Sequence, residues 1–373
     1  MTRFLSVVWY QILPARFGGQ KGIAEFNTYL SARHPLVCLC SRNNDPREAS
    51  YPVLAELPLA RRQVANPANW MHIIRKIRET GATHLIIEHC YYGLAGIWAR
   101  FRTGTPLIVH AHNIESARFR EMGKWWWSLL WLLERYTFRN ANLILFKTAE
   151  DLDFARERFG VPASRCLVIP YGLTRVGVPD AAEKAAAAAA IRQQYDIAAD
   201  EKILLFSGTL DYAPNANALA LIVDQLIPML SAMTNRPFRV IACGRIINPG
   251  YQRLLELNHD HYTYAGMVEN LQPYLLAADV FINPVYEGGG IKVKTMEALS
   301  FNLPVVSTAH SARGISLEST GGKLRIAEEG NWDSFCQLVI EAMDDTSKTP
   351  DAFFDTYHWS TLVETFTRKL DSL

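Results

Sequence analysis

The stretch "NPVYEGGGIKVKTMEALSFNLPVVST", residues Asn283–Thr308, links two strand-like runs through a glycine-rich turn and a helical pattern. "VFINPV", which overlaps its start, and "PVVST" at its end are short and rich in β-branched residues, as strands are. Between them, "IKVKTMEALS" has apolar residues at helical spacing. A strand, a helix and a second strand in succession are typical of parallel sheets, so this stretch predicts an α/β fold.

The same alternation runs along the chain in two sets. The strand candidates of the first half are "FLSVVW", "LVCLC", "HLIIEH", "PLIVHAH", "NLILF" and "CLVIP". Those of the second half are "KILLFSG", "FRVIACG", "YTYAG", "VFINPV" and "PVVST". Helix-compatible segments such as Asn69–Thr80 and Asn215–Leu230 lie between them. We therefore expect two Rossmann-like, doubly wound lobes that face each other across a cleft at the carboxyl ends of their strands.

The lobe boundary is predicted from a change in composition. The chain has 373 residues, which is too many for one ordinary core. A Gly- and Pro-containing segment near Leu173–Pro179 is a candidate linker, and an alanine tract with high helix propensity follows it. The predicted lobes are residues 1–172 and 173–356.

Charge and cysteine content exclude several classes. Lys and Arg number 38 against 37 Asp and Glu, so no bulk attraction to nucleic acid is expected and any anion site must be local. The six cysteines form no C-x2-C pair, which predicts buried thiols in a reducing compartment and no zinc site.

The N-terminus, "MTRFLSVVWYQILPARFGG", lacks a small-residue cleavage site and runs into a glycine-containing loop, so we expect a first strand rather than a signal peptide. We also expect no run of the roughly 18 apolar residues that a membrane span needs.

The glycines of the opening stretch suit a phosphate group. Backbone amides at Gly288–Gly290, with a helix dipole behind them, attract phosphate oxygens, and the absence of Cβ atoms lets a diphosphate approach. Lys294 and Glu297 are three residues apart and share a helical face, whereas Lys292 lies about 200° around the helix from Lys294. The P-loop and dinucleotide fingerprints are both absent, so a plain glycine turn is the alternative on this stretch alone.

Longer motifs resemble the GT-B glycosyltransferases, in particular the retaining, family 4-like group (glycosyl transferases group 1). "GGGIKVKTMEALSFNLPVVST" resembles the G-x-G-x3-K-x2-E-A and G-x-P-V-V-x-T motifs of that family. "LLFSGTLDYAPNANALALIVDQLIPML" resembles the first βα unit of its donor lobe, in the branch with a Y-x-P-N signature. "YAGMVENLQPYLLAADVFINP" is also similar to a donor-lobe segment, and together these motifs cover most of Lys202–Arg313. "GGQKGIAEFNTYLS" and "PLIVHAHNIES" resemble the N-terminal lobe more weakly.

The resemblance implies a function. The C-terminal lobe would bind a nucleotide sugar, the N-terminal lobe an acceptor, and a last helix in residues 357–373 would cross back to the N-terminal lobe. The implied enzyme is a cytoplasmic hexosyltransferase that transfers the sugar, with retention, to a hydroxyl of a glycan or lipid-linked acceptor in polysaccharide or glycoconjugate biosynthesis. We expect no metal, because no cluster of Asp, Glu and His appears at ligand spacing in the sequence and GT-B sites bind the diphosphate with amides and cations. No cofactor is expected either, because the nucleotide sugar is a co-substrate.

The resemblance also implies site residues. Glu297 would bind the ribose, the Gly288–Gly290 amides with Lys294 the diphosphate, and the loop with Gly18 and Gly19 would close over the phosphates. The predicted donor-binding residues are Gly18, Gly19, Gly208, Thr209, Arg245, Val268, Gly288, Gly289, Gly290, Lys294 and Glu297. The predicted catalytic residues are His112, Lys294 and Glu287.

Two of these assignments have alternatives. His112 matches a histidine that touches the transferred sugar in relatives, but a structural role, or His110 in its place, is the alternative. Many relatives have an acid where this chain has Gly289; Glu287 could substitute for it or be a solvated loop acid.

The chain departs from the family again at Thr209 and Pro214, where an Arg and a Lys usually supply diphosphate charge, and we interpret this departure as a feature of the Y-x-P-N branch. These departures motivate the alternative of a non-catalytic GT-B partner that binds a donor or serves as a scaffold in glycan assembly. A GT-B epimerase that acts on the nucleotide sugar itself is disfavoured by the donor-lobe motifs.

The segment "GKWWWSLLWLLERYTFRN", Gly123–Asn140, is apolar nearly all round from Trp125 to Leu133 and too short to span a bilayer. We expect it to be mostly buried. The alternative is an exposed aromatic surface that contacts a lipid-linked acceptor or the inner membrane face through Trp125–Trp131, with basic residues beside it.

Overall fold

A computed structural model of the protein describes residues 2–59, 61–246, 249–256, 260–288 and 293–372. The chain divides into an N-terminal unit, Met1–Gly172 with Tyr357–Leu373, and a C-terminal unit, Leu173–Thr356. Each unit contains one parallel sheet with helices around it, so the predicted α/β class with two Rossmann-like sheets is confirmed.

The N-terminal sheet has seven strands: β1 (Phe4–Val8), β2 (Leu36–Ser41), β3 (Val53–Leu57), β4 (His84–Glu88), β5 (Leu107–Ala111), β6 (Leu143–Phe146) and β7 (Cys166–Val168). Their order is β3-β2-β1-β4-β5-β6-β7. The helices are α1 (Gly18–Ser31), α2 (Pro67–Thr80), α3 (Gly93–Thr103), α4 (Glu115–Glu121), α5 (Trp127–Asn140) and α6 (Ala149–Phe154).

The C-terminal unit begins with α7 (Ala181–Tyr195), the helix predicted from the alanine tract. Its strands are β8 (Lys202–Ser207), β9 (Phe238–Cys243), β10 (Tyr262–Gly266), β11 (Val280–Asn283), β12 (Val305–Thr308) and β13 (Leu324–Ala327), in the order β10-β9-β8-β11-β12-β13. The other helices are α8 (Ala213–Leu221), α9 (Ile227–Met233), α10 (Arg253–Glu256), α11 (Gln272–Ala277), α12 (Val293–Ser300), α13 (Trp332–Ala342) and α14 (Asp351–Tyr357).

The last helix, α15 (Trp359–Asp371), packs on α1 in the N-terminal unit. The indole of Trp359 donates a hydrogen bond to the Glu25 carboxylate at 2.5 Å, and the Phe366 ring lies 5.7 Å from that of Phe26. A buried aromatic pair and a hydrogen bond from a buried indole fix this helix in the N-terminal core.

In both sheets the strand order changes direction at the first strand. β1 lies between β2 and β4, and β8 lies between β9 and β11. The loops that leave such neighbouring strands run to opposite sides of the sheet and open a crevice at their carboxyl ends, where α/β proteins bind ligands. Functional residues are therefore expected after β1 and β4 in one unit and after β8 and β11 in the other.

Two strands are absent from the sequence prediction. Each is one of the two edge strands of its sheet, and their sequences, "VLAEL" in β3 and "LRIA" in β13, mix apolar and polar residues. An edge strand needs less apolar surface than a central one, so its sequence carries a weaker pattern.

One helical segment is longer and more apolar than expected. α8, a wide turn and α9 form one segment of 21 residues, Ala213–Met233. It contains an 18-residue window with a mean hydropathy of 1.5, so by length and composition it could cross a membrane. The expectation that no segment reaches this length is therefore wrong. Its buried residues, among them Leu219, Ile222 and Leu226, belong to the C-terminal core, and a helix that packs on a sheet has the same composition.

The tryptophan run is less buried than expected. Between Trp125 and Leu133 only Leu130 is fully buried, and Trp125 is 83% exposed. Trp126 and Trp131 are half-buried against the core. The prediction of burial is wrong for the outer face of this segment, because α5 covers the core with one face only.

All six cysteines are buried and none forms a disulfide, so the predicted burial of the thiols is confirmed.

Candidate functional site

Lys294 lies at the carboxyl end of β8 in the C-terminal unit. From the first turn of α12, its Nζ donates a hydrogen bond to Oδ1 of Asn215 at 3.1 Å and lies 4.4 Å from the centre of the Phe206 ring. Asn215 Nδ2 in turn donates to the carbonyl of Thr209 at 3.0 Å. A hydrogen bond and a cation–π contact thus fix the ammonium group beside the β8–α8 loop.

Glu287 is held by α8. Asn217 Nδ2 donates to its carboxylate at 2.6 Å, and the Tyr251 hydroxyl donates to Oδ1 of the same asparagine. The alternative of a freely solvated loop acid therefore does not fit the structure. The next residue, Gly288, has a φ of +86°, which favours glycine, and its carbonyl accepts a hydrogen bond from His310.

The remaining predicted donor residues lie around this group. Glu297 is half-buried on α12, one turn after Lys294. Arg245 is exposed and lies 3.5 Å from Asp211, so part of its charge is already neutralised. Val268 is half-buried just after β10. Gly289, Gly290 and Lys292 lie outside the described residues.

The ends of β8 and β9 approach each other too closely for a side chain. The Gly208 amide donates to the Cys243 carbonyl at 3.0 Å, and the Gly244 amide donates to the Gly266 carbonyl at 2.7 Å. Gly244 has a φ of +149°, and a Cβ there would lie 2.0 Å from the Gly208 carbonyl oxygen. Glycine at this position therefore shapes the backbone floor of the site.

Gly244→Ala is expected to destabilise the C-terminal unit by about 2–4 kcal/mol, since the new methyl group overlaps a backbone atom that no rotamer change can move. Gly330→Ala is the matched control, because Gly330 also has a positive φ, +75°, but no atom lies within 4 Å of its Cβ position. Both variants place an alanine at a positive φ, but only Gly244→Ala adds an overlap with a backbone atom. The difference between their melting temperatures therefore measures the effect of the overlap. Equal melting temperatures would show that the strand ends can move apart.

Gly18 and Gly19 are the first two residues of α1 in the N-terminal unit. The Gln20 side chain accepts hydrogen bonds from the backbone amides of Arg16 at 2.8 Å and Phe17 at 3.1 Å. Gly19 is exposed, with no atom within 4 Å of its Cβ position. The loop is thus fixed at its entry into the helix, while Gly19 leaves its surface open.

His112 belongs to a buried cluster that joins β4 and β5. Its Nε2 lies 2.7 Å from the carboxylate of Glu88, which is fully buried at the end of β4, and Nδ1 of His110 lies 3.0 Å from the same carboxylate. Because a carboxylate accepts hydrogen bonds, the proton of His112 is assigned to Nε2 and its Nδ1 carries a lone pair. No residue in the described ranges hydrogen-bonds to that Nδ1, so His112 presents an acceptor.

Burial sets the protonation of this cluster. It lowers the pKa of both His110 and His112 well below the usual value, which keeps the two rings neutral at pH 7. Burial also lowers the pKa of Lys147 to about 7, and the charge of Glu88 acts against that decrease. Lys147 is thus an amine that interacts electrostatically with the Glu88 carboxylate.

The ligand atoms of Glu88, His110 and His112 lie within 4.8 Å of one another, which is compact enough to hold a metal ion. The expectation that Asp, Glu and His nowhere gather at ligand spacing is therefore wrong, because pairing of β4 with β5 joins residues that are distant in sequence. The separations of 2.7 and 3.0 Å are those of hydrogen bonds, so the structure supports a hydrogen-bonded cluster.

A second network lies beside His112. His89 has a φ of +64°, its ring lies 4.6 Å from that of His112, and its Nδ1 is 3.0 Å from the Glu115 carboxylate. Arg118 also donates to Glu115, at 2.7 Å. Burial alone would raise the pKa of Glu115, but the hydrogen bond and charge of His89 and the charge of Arg118 outweigh it and hold the pKa at about 2. Glu115 is therefore a carboxylate that fixes the His89 ring.

Sequence reasoning missed Glu88, His89, Glu115 and Lys147. A signal was present: in "HLIIEH", polar residues come directly after an apolar run, at the carboxyl end of a predicted central strand. In parallel sheets, ligands bind at the carboxyl ends of the strands. If this rule is applied to every predicted strand, and not only to "PLIVHAH", it identifies Glu88 and His89 as candidates.

Comparisons with known proteins agree with this architecture. Residues 19–172 match the family model described as glycosyl transferase 4-like domain, and residues 201–345 match the model described as glycosyl transferases group 1. No curated protein matches the sequence.

Several solved structures have the same fold. Sucrose-phosphate synthase from Thermosynechococcus elongatus has a TM-score of 0.75 at 15% identity over 99% of this chain and 98% of that one. HepE from Anabaena, in complex with UDP and glucose, has a TM-score of 0.73 at 15% identity over 100% of both chains. A glycosyltransferase from Rickettsia africae has a TM-score of 0.73 at 11% identity over 100% of this chain and 99% of that one.

These similarities show the GT-B fold, and the two family models span most of both units. The chain belongs to the GT-B glycosyltransferases, with a 4-like domain in its N-terminal unit and a group 1 domain in its C-terminal unit.

Proposed function

We propose that the protein transfers a hexose from a nucleoside-diphosphate sugar to a hydroxyl of a glycan or lipid-linked acceptor, with retention, in polysaccharide or glycoconjugate biosynthesis. The observation that carries this proposal is the position of Lys294, which Asn215 and Phe206 hold beside the carboxyl end of β8. A fixed cation at the crevice of a parallel sheet suits a diphosphate. HepE was crystallised with UDP and with UDP-glucose, so UDP-sugars are the first donors to test.

Each group has a role in this proposal. Lys294 binds the diphosphate and Glu297 accepts hydrogen bonds from the ribose hydroxyls. Glu287, which Asn217 orients, contacts the donor sugar, and His112 Nδ1 accepts a hydrogen bond from a sugar hydroxyl. The further donor contacts that we propose are Gly18, Gly19, Gly208, Thr209, Arg245, Val268, Gly288, Gly289 and Gly290.

The reaction is a displacement at the anomeric carbon. A bond forms from the acceptor oxygen to that carbon while the bond from the carbon to the diphosphate oxygen breaks on the same face, and the acceptor proton passes to the departing phosphate. Orientation of the two substrates and stabilisation of the developing phosphate charge by Lys294 lower the barrier. The proposal requires neither a metal nor a cofactor.

We also propose that the enzyme is cytoplasmic and makes peripheral contact with the inner membrane face through Trp125–Trp131. Trp125 is 83% exposed, and a tryptophan is stable where water meets the lipid headgroups. Such contact would bring the enzyme to lipid-linked acceptors.

A thermal-shift panel of UDP-, GDP-, ADP- and dTDP-glucose tests donor binding. A donor at a hundred times its Kd adds about 2.7 kcal/mol to the stability of the native state. We expect one nucleotide to raise the melting temperature by roughly 5–10 °C. If none of the four shifts it, the donor site proposed here is wrong.

A non-catalytic, donor-binding partner in glycan assembly is the second candidate. Two points favour it: by the resemblance, Gly289 stands where many relatives have an acid, and Arg245 shares its charge with Asp211. Donor binding with no release of nucleoside diphosphate, over a panel of glycan and lipid acceptors, would support this candidate over the transferase.

A further inference from the structure

The outer face of α5 carries an apolar stripe. Trp125, in the turn before the helix, and Leu129, Leu132 and Tyr136 on it are 83%, 62%, 57% and 51% exposed, respectively. These positions are four, three and four residues apart, so they follow one face of the helix. A contiguous row of exposed apolar side chains marks an interaction surface.

Unpaired cations lie in and beside this stripe. They are Arg120, Lys124, Arg135, Arg139 and Arg158. In the part of the chain that the structure describes, none of the five forms an ion pair with a carboxylate. Elsewhere in this unit, Arg47, Arg118 and Arg156 do form such pairs. The surface thus combines apolar side chains with five basic side chains that form no ion pair within the described residues.

A groove of about 890 Å³ adjoins the stripe. Trp127, Trp131 and Phe154 form its apolar floor, and Arg120 and Arg158 also line it. The Arg120 guanidinium lies 5.0 Å from the centre of the Trp127 ring, which orients the cation at the groove. The groove therefore provides positive charge for a compact anion and apolar surface for a hydrocarbon chain attached to that anion. The acidic Glu121 also lines the groove.

We propose that this face, the α5 stripe together with its groove, binds an anionic lipid bilayer. The stripe enters the boundary between headgroups and acyl chains, and Arg120 and Arg158 bind lipid phosphates at the groove. This inference rests on the membrane contact proposed above and is independent of sugar transfer, because lipid binding needs no donor. A second copy of the chain fits poorly, since a symmetric contact would place the five cations against the same five.

Vesicle flotation of the full chain, without donor or acceptor, tests the apolar part. We expect flotation with equimolar phosphatidylcholine and phosphatidylglycerol but not with phosphatidylcholine alone. Replacing Trp125, Leu129 and Leu132 together by serine should weaken binding at least about ten-fold, since each lost side chain removes buried apolar area. The matched control replaces Met71, Leu94 and Phe101 by serine, because these side chains of the same unit are 46%, 41% and 84% exposed.

A second pair of variants tests the charges. Arg120→Gln with Arg158→Gln should weaken binding to the anionic vesicles by about thirty-fold, because each cation at an anionic surface contributes about five-fold. Arg78→Gln with Arg102→Gln removes two exposed cations elsewhere in the same unit and should leave binding unchanged.

Brominated lipids provide a measurement without variants, since insertion of the stripe should quench the tryptophan fluorescence of the wild-type protein. Equal binding to zwitterionic and anionic vesicles would overturn the proposed headgroup site. If the wild type binds no vesicles but forms a dimer, and the triple serine variant is a monomer, the face would be assigned to contact with a second copy instead.

Discussion

Lys294→Ala is expected to lower the rate of nucleoside-diphosphate release by about 10²–10³-fold, the effect of removing one preorganised group that stabilises developing charge. The effect should be this large because few cations are available to the leaving group. Thr209 and Pro214 occupy positions where the resemblance to the family implies an Arg and a Lys, and Arg245 is paired with Asp211. The rate of release is measured with the donor that gives a thermal shift, by coupled detection of the released nucleoside diphosphate.

Lys348→Ala is the control, because Lys348 is an exposed lysine of the same unit and lies outside the site. Melting temperatures should agree among the wild type, the control and Lys294→Ala, since Lys294 is only half-buried. A Lys294→Ala enzyme that turns over donor at the wild-type rate would contradict the assignment of Lys294 to the diphosphate.

Glu88→Gln is expected to reduce kcat by up to about 10²-fold, the effect of misplacing a reacting or binding group by about 1 Å. Oε1 of Glu88 accepts from His110 and Oε2 accepts from His112, and a glutamine replaces one of these two oxygens with an NH2 donor, so it cannot accept from both rings in their present tautomers. His112 would then no longer present a fixed acceptor at Nδ1. Donor affinity should change little, because most of the donor contacts that we propose lie in the C-terminal unit.

Nitrogen-15 NMR of the histidine rings gives a readout that a purely structural role would not change. In the wild type we expect His112 to be protonated at Nε2, with the peaks assigned by His112→Asn, and in Glu88→Gln we expect a tautomer mixture. Glu56→Gln is the matched control, because Glu56 also pairs with a histidine, His72, at 2.7 Å, but on the edge strand β3. A wild-type His112 protonated at Nδ1 would show that Glu88 does not set the tautomer.

The sequence predicted the parts of this protein that local patterns determine. Central strands are buried on both faces and appear as continuous apolar runs, so β1, β5, β8 and β11 could be recognised. Of the four edge strands, β7 and β10 were also recognised, whereas β3 and β13 were not. The strand, turn and helix around Gly288 and Lys294 were predictable for the same reason, because all the groups concerned lie within a few residues of one another.

The position of Glu88 at the end of a strand could be predicted from the sequence, but the residues that it meets through tertiary contacts could not. The Glu88 cluster depends on the pairing of β4 with β5, and Glu287 is held by Asn217, a residue 70 positions earlier in the chain. The exposure of Trp125 was uncertain for a related reason. A segment that is apolar nearly all round does not reveal which of its faces has a neighbour.

The burial of all six cysteines makes this chain suitable for site-specific labelling. Maleimide reagents attack thiolates at the surface, whereas burial raises the pKa of Cys243 and of Cys336 to about 12 and keeps both sulfurs out of reach. A dye would therefore react only with an introduced surface thiol, such as that of Phe101→Cys or Lys348→Cys. With one dye on each unit, energy transfer would follow the distance between them as donor is added, with no native cysteine to remove first.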